Sequence, residues 1–178
     1  MTMLRRIDWK NDVSGYKHVG TEGTHLLVEY WGCDVAILDD VGAVGEALQR
    51  AAEAAGAVVV GSVVRPFSPQ GVTGVLVLEE SHLSVHTWPE SGYAAVDLFT
   101  CGDCRPERAH VVLREAFKAM RSEMIRVARG RENAETSMQV EGRIVERQHP
   151  GSAPTLVLDE VGEDGLSITR GKGPSLLH

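Results

Sequence analysis

Reactive side chains concentrate in one segment, Glu79-Glu80-Ser81-His82-Leu83-Ser84-Val85-His86-Thr87-Trp88-Pro89-Glu90, with apolar runs on either side. Strands that need only to be buried do not carry so many polar groups. Ser81 and Ser84 are possible nucleophiles, and His82 and His86 are possible metal ligands. A serine hydrolase would expose its nucleophile on a G-x-S-x-G elbow, and neither serine has one. His82 and His86 have the i,i+4 spacing that shares a metal on a helix. On a strand, four residues span about 13 Å, too far for one ion. The alternation Leu83-Ser84-Val85-His86-Thr87 also fits a sheet whose polar side simply faces water. A second candidate is Cys101-Gly102-Asp103-Cys104, a C-x-x-C between a strand-like run and a helix opened by Pro106. Thioredoxin-like redox sites occupy that position, yet the chain around it lacks the strand order of such a fold. Zinc would need two further ligands, and no second C-x-x-C exists; no metal is expected. Cys101 also reads as a small buried hydrophobe, with Cys104 incidental.

The elements that must position these residues follow from periodicity. Residues 1–24 are polar and aperiodic and read as an arm. His25-Leu-Leu-Val-Glu-Tyr-Trp-Gly-Cys33 has the content of a strand closed by Gly32 and Asp34. Asp39 and Asp40 can cap a helix whose apolar positions are Val41, Val44, Leu48, Ala51 and Ala55, with Gly56 just past its end. Residues 57–65 form a β-branched strand, followed by a loop marked by Pro66, Pro69 and Gly71. Residues 72–80, 81–88 and 93–100 read as antiparallel strands with short connections. Pro106 then opens a second helix, its stripe Leu113, Phe117, Met120, Met124 and Val127 running to about Gly130. The order β-α-β-β-β-β-α predicts an α+β fold, a two-layer sandwich of one antiparallel sheet covered on one face by two helices. Residues 131–178 form a tail without helical periodicity, partly disordered or with a small hairpin in Thr155–Gly171.

With 178 residues, 43% hydrophobic and 24% charged, the chain can bury one core, so a multidomain enzyme, a disordered chain and a disulfide scaffold are excluded. A net charge of −7 has the wrong sign for nucleic acid or an anionic membrane surface and suits a cationic small molecule. Three cysteines, no apolar leader and no long apolar run point to the cytoplasm.

The strings HLLVEYWGCD (25–34) and PFSPQGVTGVLVLEESHLSVHTWPESGYAAVDLFTCG (66–102), with the helix after them, resemble the bacterial and archaeal S-adenosylmethionine decarboxylase proenzymes. The resemblance covers about residues 24–128. It implies self-cleavage between Glu80 and Ser81, giving a β chain of residues 1–80 and an α chain of residues 81–178. It also implies conversion of Ser81 to a pyruvoyl group that forms a Schiff base with S-adenosylmethionine and needs no external cofactor. His86 would be the proton acceptor in processing and Cys101 the proton donor in decarboxylation. Phe67 matches the family's adenine-stacking aromatic and Glu90 its ribose-binding carboxylate. Thr73 stands where relatives often carry a processing serine, and His25 and Glu29 are candidates to line the site. Ser81 and His86 are five apart, which on a straight strand sends them to opposite faces, so a bend at the cleavage site is expected. The resemblance further implies a dimer of processed αβ protomers. A pyruvoyl decarboxylase of L-arginine or L-ornithine and an unprocessed regulatory homologue are the alternatives.

Overall fold

The computed structural model describes residues 20–131, 138–147 and 155–159. In chain order the elements are β1 (Gly23–Trp31), α1 (Val35–Leu38), α2 (Val41–Ala55), β2 (Val59–Pro66), β3 (Val72–Leu78) and β4 (Ser81–Trp88). A short 3-10 turn (Pro89–Ser91) leads into β5 (Tyr93–Cys101), α3 (Pro106–Ala116), β6 (Arg121–Arg129), β7 (Met138–Arg147) and β8 (Thr155–Asp159). The strands form one antiparallel sheet in the order β2-β3-β4-β5-β1-β6-β7-β8. Two amphipathic helices, α2 and α3, cover one face, which is the expected two-layer α+β sandwich.

Strand alternation decides which side is covered. Leu26, Val28 and Tyr30 of β1, Leu83 and Val85 of β4, and Val96 and Leu98 of β5 are buried in one cluster with Leu48 and Ala51 of α2 and Leu113 of α3. Each such leucine or valine contributes about 1.5–3 kcal/mol by leaving water. The intervening residues, among them His82, Ser84, His86 and Trp88 on β4, fall on the other face, which no helix covers. The helices are held as their sequences imply. Asp40 caps α2 by accepting from the Gly42 and Ala43 amides at 2.8 and 3.0 Å, and Gly56 ends it at φ 79°.

The second helix is shorter than its apolar stripe suggests. It ends at Ala116, Phe117 is its C-cap, and Lys118 takes a left-handed turn at φ 51°. Residues 121–129 are strand β6, paired along its length with β1. The 3–4 spacing of Met120, Met124 and Val127 is incidental to a period-2 pattern that buries Ser122 and Met124. The connectivity therefore continues past α3 with three more strands. β7 pairs with β6 from Arg121↔Arg147 to Arg129↔Met138, and β8 pairs with β7. Ion pairs reinforce the β6–β7 seam, Arg126 with Glu141 at 2.6 Å and Arg143 with Glu123, and Glu146 ties β7 to Arg114 of α3 at 2.6 Å. Of the arm, Gly23 and Thr24 already belong to β1, and residues 1–19 lie outside the described residues. Of the expected hairpin segment in the tail, residues 155–159 are β8, and the rest of it also lies outside them.

Candidate active site

The proposed scissile bond sits at the tip of the β3–β4 hairpin. Leu78 and Ser81 are the closing pair, so Glu79 and Glu80 form a two-residue turn, and Glu80 adopts φ 65°. A left-handed conformation costs a non-glycine residue about 1–2 kcal/mol, so the backbone is strained immediately before Ser81. The thiol of Cys101, at the end of the neighbouring β5, donates to the Glu80 carbonyl oxygen with an Sγ···O distance of 3.7 Å. Burial, then the Glu80 carboxylate, push the Cys101 pKa up, and the Arg129 guanidinium opposes them. The thiol is therefore protonated at neutral pH, as a proton donor must be.

Just inside this end, on the open face, lies a cluster of which the sequence singles out only His25 and His82. The His25 and His82 rings meet edge to face at 5.9 Å, and both touch Phe99. Arg129 lies over the Phe99 ring with its guanidinium carbon 4.7 Å from the centroid. It also donates from Nη1 to His25 Nδ1 at 3.2 Å. A guanidinium cannot accept, so the His25 proton sits on Nε2, which faces Asp97 Oδ1 at 3.7 Å. Burial holds the His25 pKa below its ordinary value against the pull of Asp97, with Arg129 and His82 adding to the lowering. The registers that align these residues, His82↔Phe99 and His25↔Phe99, follow from period-2 alternation, the signal that could have found them.

The other expected residues gather at the opposite end of the same face. Thr73 and His86 are cross-strand partners, with Thr73 Oγ1 and His86 Nδ1 hydrogen-bonded at 3.1 Å. Trp88 lies 6.3 Å from the His86 ring and 6.4 Å from Phe67, and it stacks on Tyr93 at 5.2 Å. Tyr93 in turn stacks on Trp31 at 4.3 Å. Phe67 is presented by a tight loop in which its amide bonds the Gly71 carbonyl at 3.0 Å. Gly71 has φ 109°, and a Cβ there would meet Phe67 at 2.6 Å and the Thr87 carbonyl at 2.5 Å, so only glycine lets the ring fold over the loop. Exposed Glu90 accepts from Gln70 Nε2 at 3.0 Å.

The expected residues therefore divide into two groups. Glu80, Ser81 and Cys101 come together at one end; Phe67, Thr73, His86 and Glu90 come together at the other. The expected bend is the Glu79–Glu80 turn, which precedes Ser81, and β4 keeps regular register with β3 from Ser81 through His86. Five strand residues place Ser81 and His86 about 16 Å apart and on opposite sides of the strand. Among the described residues no three His, Cys, Asp or Glu side chains are grouped to hold a metal.

A family model described as S-adenosylmethionine decarboxylase matches residues 24–130. The chain belongs to the S-adenosylmethionine decarboxylase family. The match ends at the loop after β6, so β7 and β8 lie beyond the segment shared with it. An S-adenosylmethionine decarboxylase proenzyme from Thermotoga petrophila is 47% identical over 110 residues, 61% of this chain and 85% of the relative. One from Parasynechococcus marenigrum is 51% identical over 100 residues, 56% of this chain and 78% of the relative. The crystal structure of the adenosylmethionine decarboxylase from Aquifex aeolicus superposes with a TM-score of 0.55 at 34% identity, covering 67% of this chain and 99% of that one. No helix among the described residues is long and apolar enough to cross a membrane.

Proposed function

We propose that the chain cuts itself between Glu80 and Ser81 and that the mature protein decarboxylates S-adenosylmethionine, yielding the aminopropyl donor of spermidine synthesis. The observation that carries this is the hairpin tip itself, where a strained Glu80 precedes Ser81 and its carbonyl oxygen faces the Cys101 thiol. Ser81 Oγ attacks the Glu80 carbonyl carbon, and acyl transfer from nitrogen to oxygen leaves an ester. Loss of the Ser81 α-proton then expels the Glu80 α-carboxylate. The resulting dehydroalanine tautomerises and hydrolyses, taking up water and releasing ammonia, to leave a pyruvoyl group at residue 81. The residues present fit that group, since residue 81 opens a strand beside a protonated thiol and Glu80 is released from a strained conformation. The pyruvoyl ketone supplies an electron sink for the α-carbon of an amino acid losing CO₂. Cys101, held protonated, is placed to return a proton to that carbon. Phe67 offers a flat apolar surface for a purine and Glu90 a carboxylate for ribose hydroxyls. For His86 to accept a proton at Nε2, Nδ1 must donate to Thr73.

The division of these residues between two ends of one face supports a homodimer of αβ protomers. The open face exposes Leu27, Trp31, Val63, Val75 and Val77, an apolar surface of the kind that marks an interface. A two-fold axis lying in the plane of that face and running across the strands brings the cleavage end of one copy against the aromatic end of the other. His86 and Thr73 of one copy then lie against the Glu80–Ser81 end of the other, which closes the distance of about 16 Å that separates them along one strand. The free thiols of Cys33, Cys101 and Cys104 suit the cytoplasm.

The denatured mass of purified protein tests the reading. Two fragments, the α chain lighter than a serine-started fragment by one ammonia, are expected from the wild type, and one uncut species from Ser81→Ala. An uncut wild type would overturn self-processing.

A further inference from the structure

Self-cleavage as proposed above leaves a negative charge that the uncut chain does not have, the α-carboxylate of Glu80. Glu80 is exposed at the hairpin tip with its carbonyl oxygen beside the Cys101 thiol, and a free cation within reach of that point is the natural partner of the new charge. Cys101, whose thiol contacts the Glu80 carbonyl, is paired with Gly23 on one side of β1. On the other side Gly23 is paired with Arg129. Cys101, Gly23 and Arg129 therefore form one row across three strands on the open face, about 10 Å from end to end, and its middle position carries no side chain. A Cβ on Gly23 would meet the Phe99 ring at 2.7 Å, so glycine is what lets Phe99 lie across the row and carry the Arg129 guanidinium above it.

Arg129 also differs from its neighbours in pairing. Arg114, Arg121, Arg126, Arg131 and Arg143 each hold a carboxylate. Among the described residues Arg129 holds none, its partners being the neutral His25 ring and the Phe99 face. Its guanidinium already acts on the Cys101 thiol, opposing the Glu80 carboxylate.

We infer that Arg129 is a carboxylate receptor, a positioning residue that captures the new α-carboxylate of Glu80 and keeps that charge away from the Cys101 thiol. The substrate carboxylate is a second source of the same chemistry. It is disfavoured because an ion pair to the leaving carboxylate stabilises the ground state and is lost as CO₂ forms. This inference rests on self-cleavage, and the experiment separates the two. The Nε–H resonance of Arg129 is followed in protein labelled with ¹⁵N-arginine, as cleaved wild type and as uncut Ser81→Ala, with Arg129→Lys to assign the signal. Cleavage alone should move the resonance downfield and slow its exchange with water by about tenfold, as capture by a carboxylate requires. The same change appearing only after S-adenosylmethionine is added would assign Arg129 to the substrate carboxylate and overturn the inference. An identical resonance in cut and uncut protein, with or without substrate, would overturn it as well. A wild type that stays uncut by mass would instead show that the self-cleavage reading had failed, and the inference with it.

Discussion

The two ends of the open face are built from the same strands and carry opposite chemistry. At the cleavage end, small and polar groups surround a strained turn: Glu80 at φ 65°, Ser81, the Cys101 thiol, and an Arg–His–Phe cluster. At the far end, aromatic rings dominate, with Trp31, Tyr93 and Trp88 stacked in series and Phe67 folded against Trp88. The first end can make and break bonds but offers little surface to hold a nucleoside; the second can hold one but has no strained bond. The difference is what the proposed dimer accounts for: each protomer would carry two halves of a site, completed by a second copy.

The sharpest way to break the contrast is at Ser81. Ser81→Ala should abolish both cleavage and decarboxylation, read as a single 19.3 kDa mass and no CO₂ release, while leaving the aromatic end intact. Next in size is Cys101→Ala. Cleavage should still occur by mass, whereas kcat should fall by about 100-fold or more, the usual contribution of a positioned proton donor. Phe67→Ala should act in the opposite sense, leaving cleavage complete and raising KM for S-adenosylmethionine about tenfold, equivalent to about 1.4 kcal/mol of lost stacking.

The sequence made most of this face legible and hid how it is used. Alternation in residues 81–88 and 93–100 places His82, Ser84, His86 and Trp88 on one side, and the structure agrees. The stretch after Phe117 was illegible for a local reason. Its left-handed turn falls on a lysine and not on a glycine, so nothing marks the break between α3 and β6, and Met120 and Met124 continue the helical spacing by accident. The Arg129 cluster was hidden for the same reason, because residues assigned to a helix could not be placed beside His25. The distance between Ser81 and His86 follows from strand spacing, whereas the proposed association that would bring the two ends together is not encoded in one chain's periodicity.

The covered face gives the smallest effect and a control for the other two. His110 of α3 is buried, bonded to Tyr30 Oη at 2.9 Å and 3.5 Å from Glu146 of β7. Burial lowers its pKa, while Glu146 works against the lowering. Between the folded and unfolded pKa values only the unfolded chain binds the proton. The stability conferred by neutral His110 is therefore complete above about pH 6.5 and is lost as pH falls through the depressed folded value. Tm should fall on going from pH 7.5 to pH 5 by about 2–4 °C for each kcal/mol lost, and His110→Gln should flatten that dependence. Neither the fragment masses nor KM at pH 7.5 should follow it.

The central claim, that the cleavage end of one copy works with the aromatic end of another, is tested most directly by co-expressing Ser81→Ala with Phe67→Ala and assaying at substrate concentrations below KM. In a symmetric dimer each mixed pair regains one intact site, built from the serine of one chain and the phenylalanine of the other. Activity should then recover to about a quarter of the wild-type level for equal, random pairing. A mixture no more active than the two variants assayed separately would contradict the account and return the whole site to a single chain.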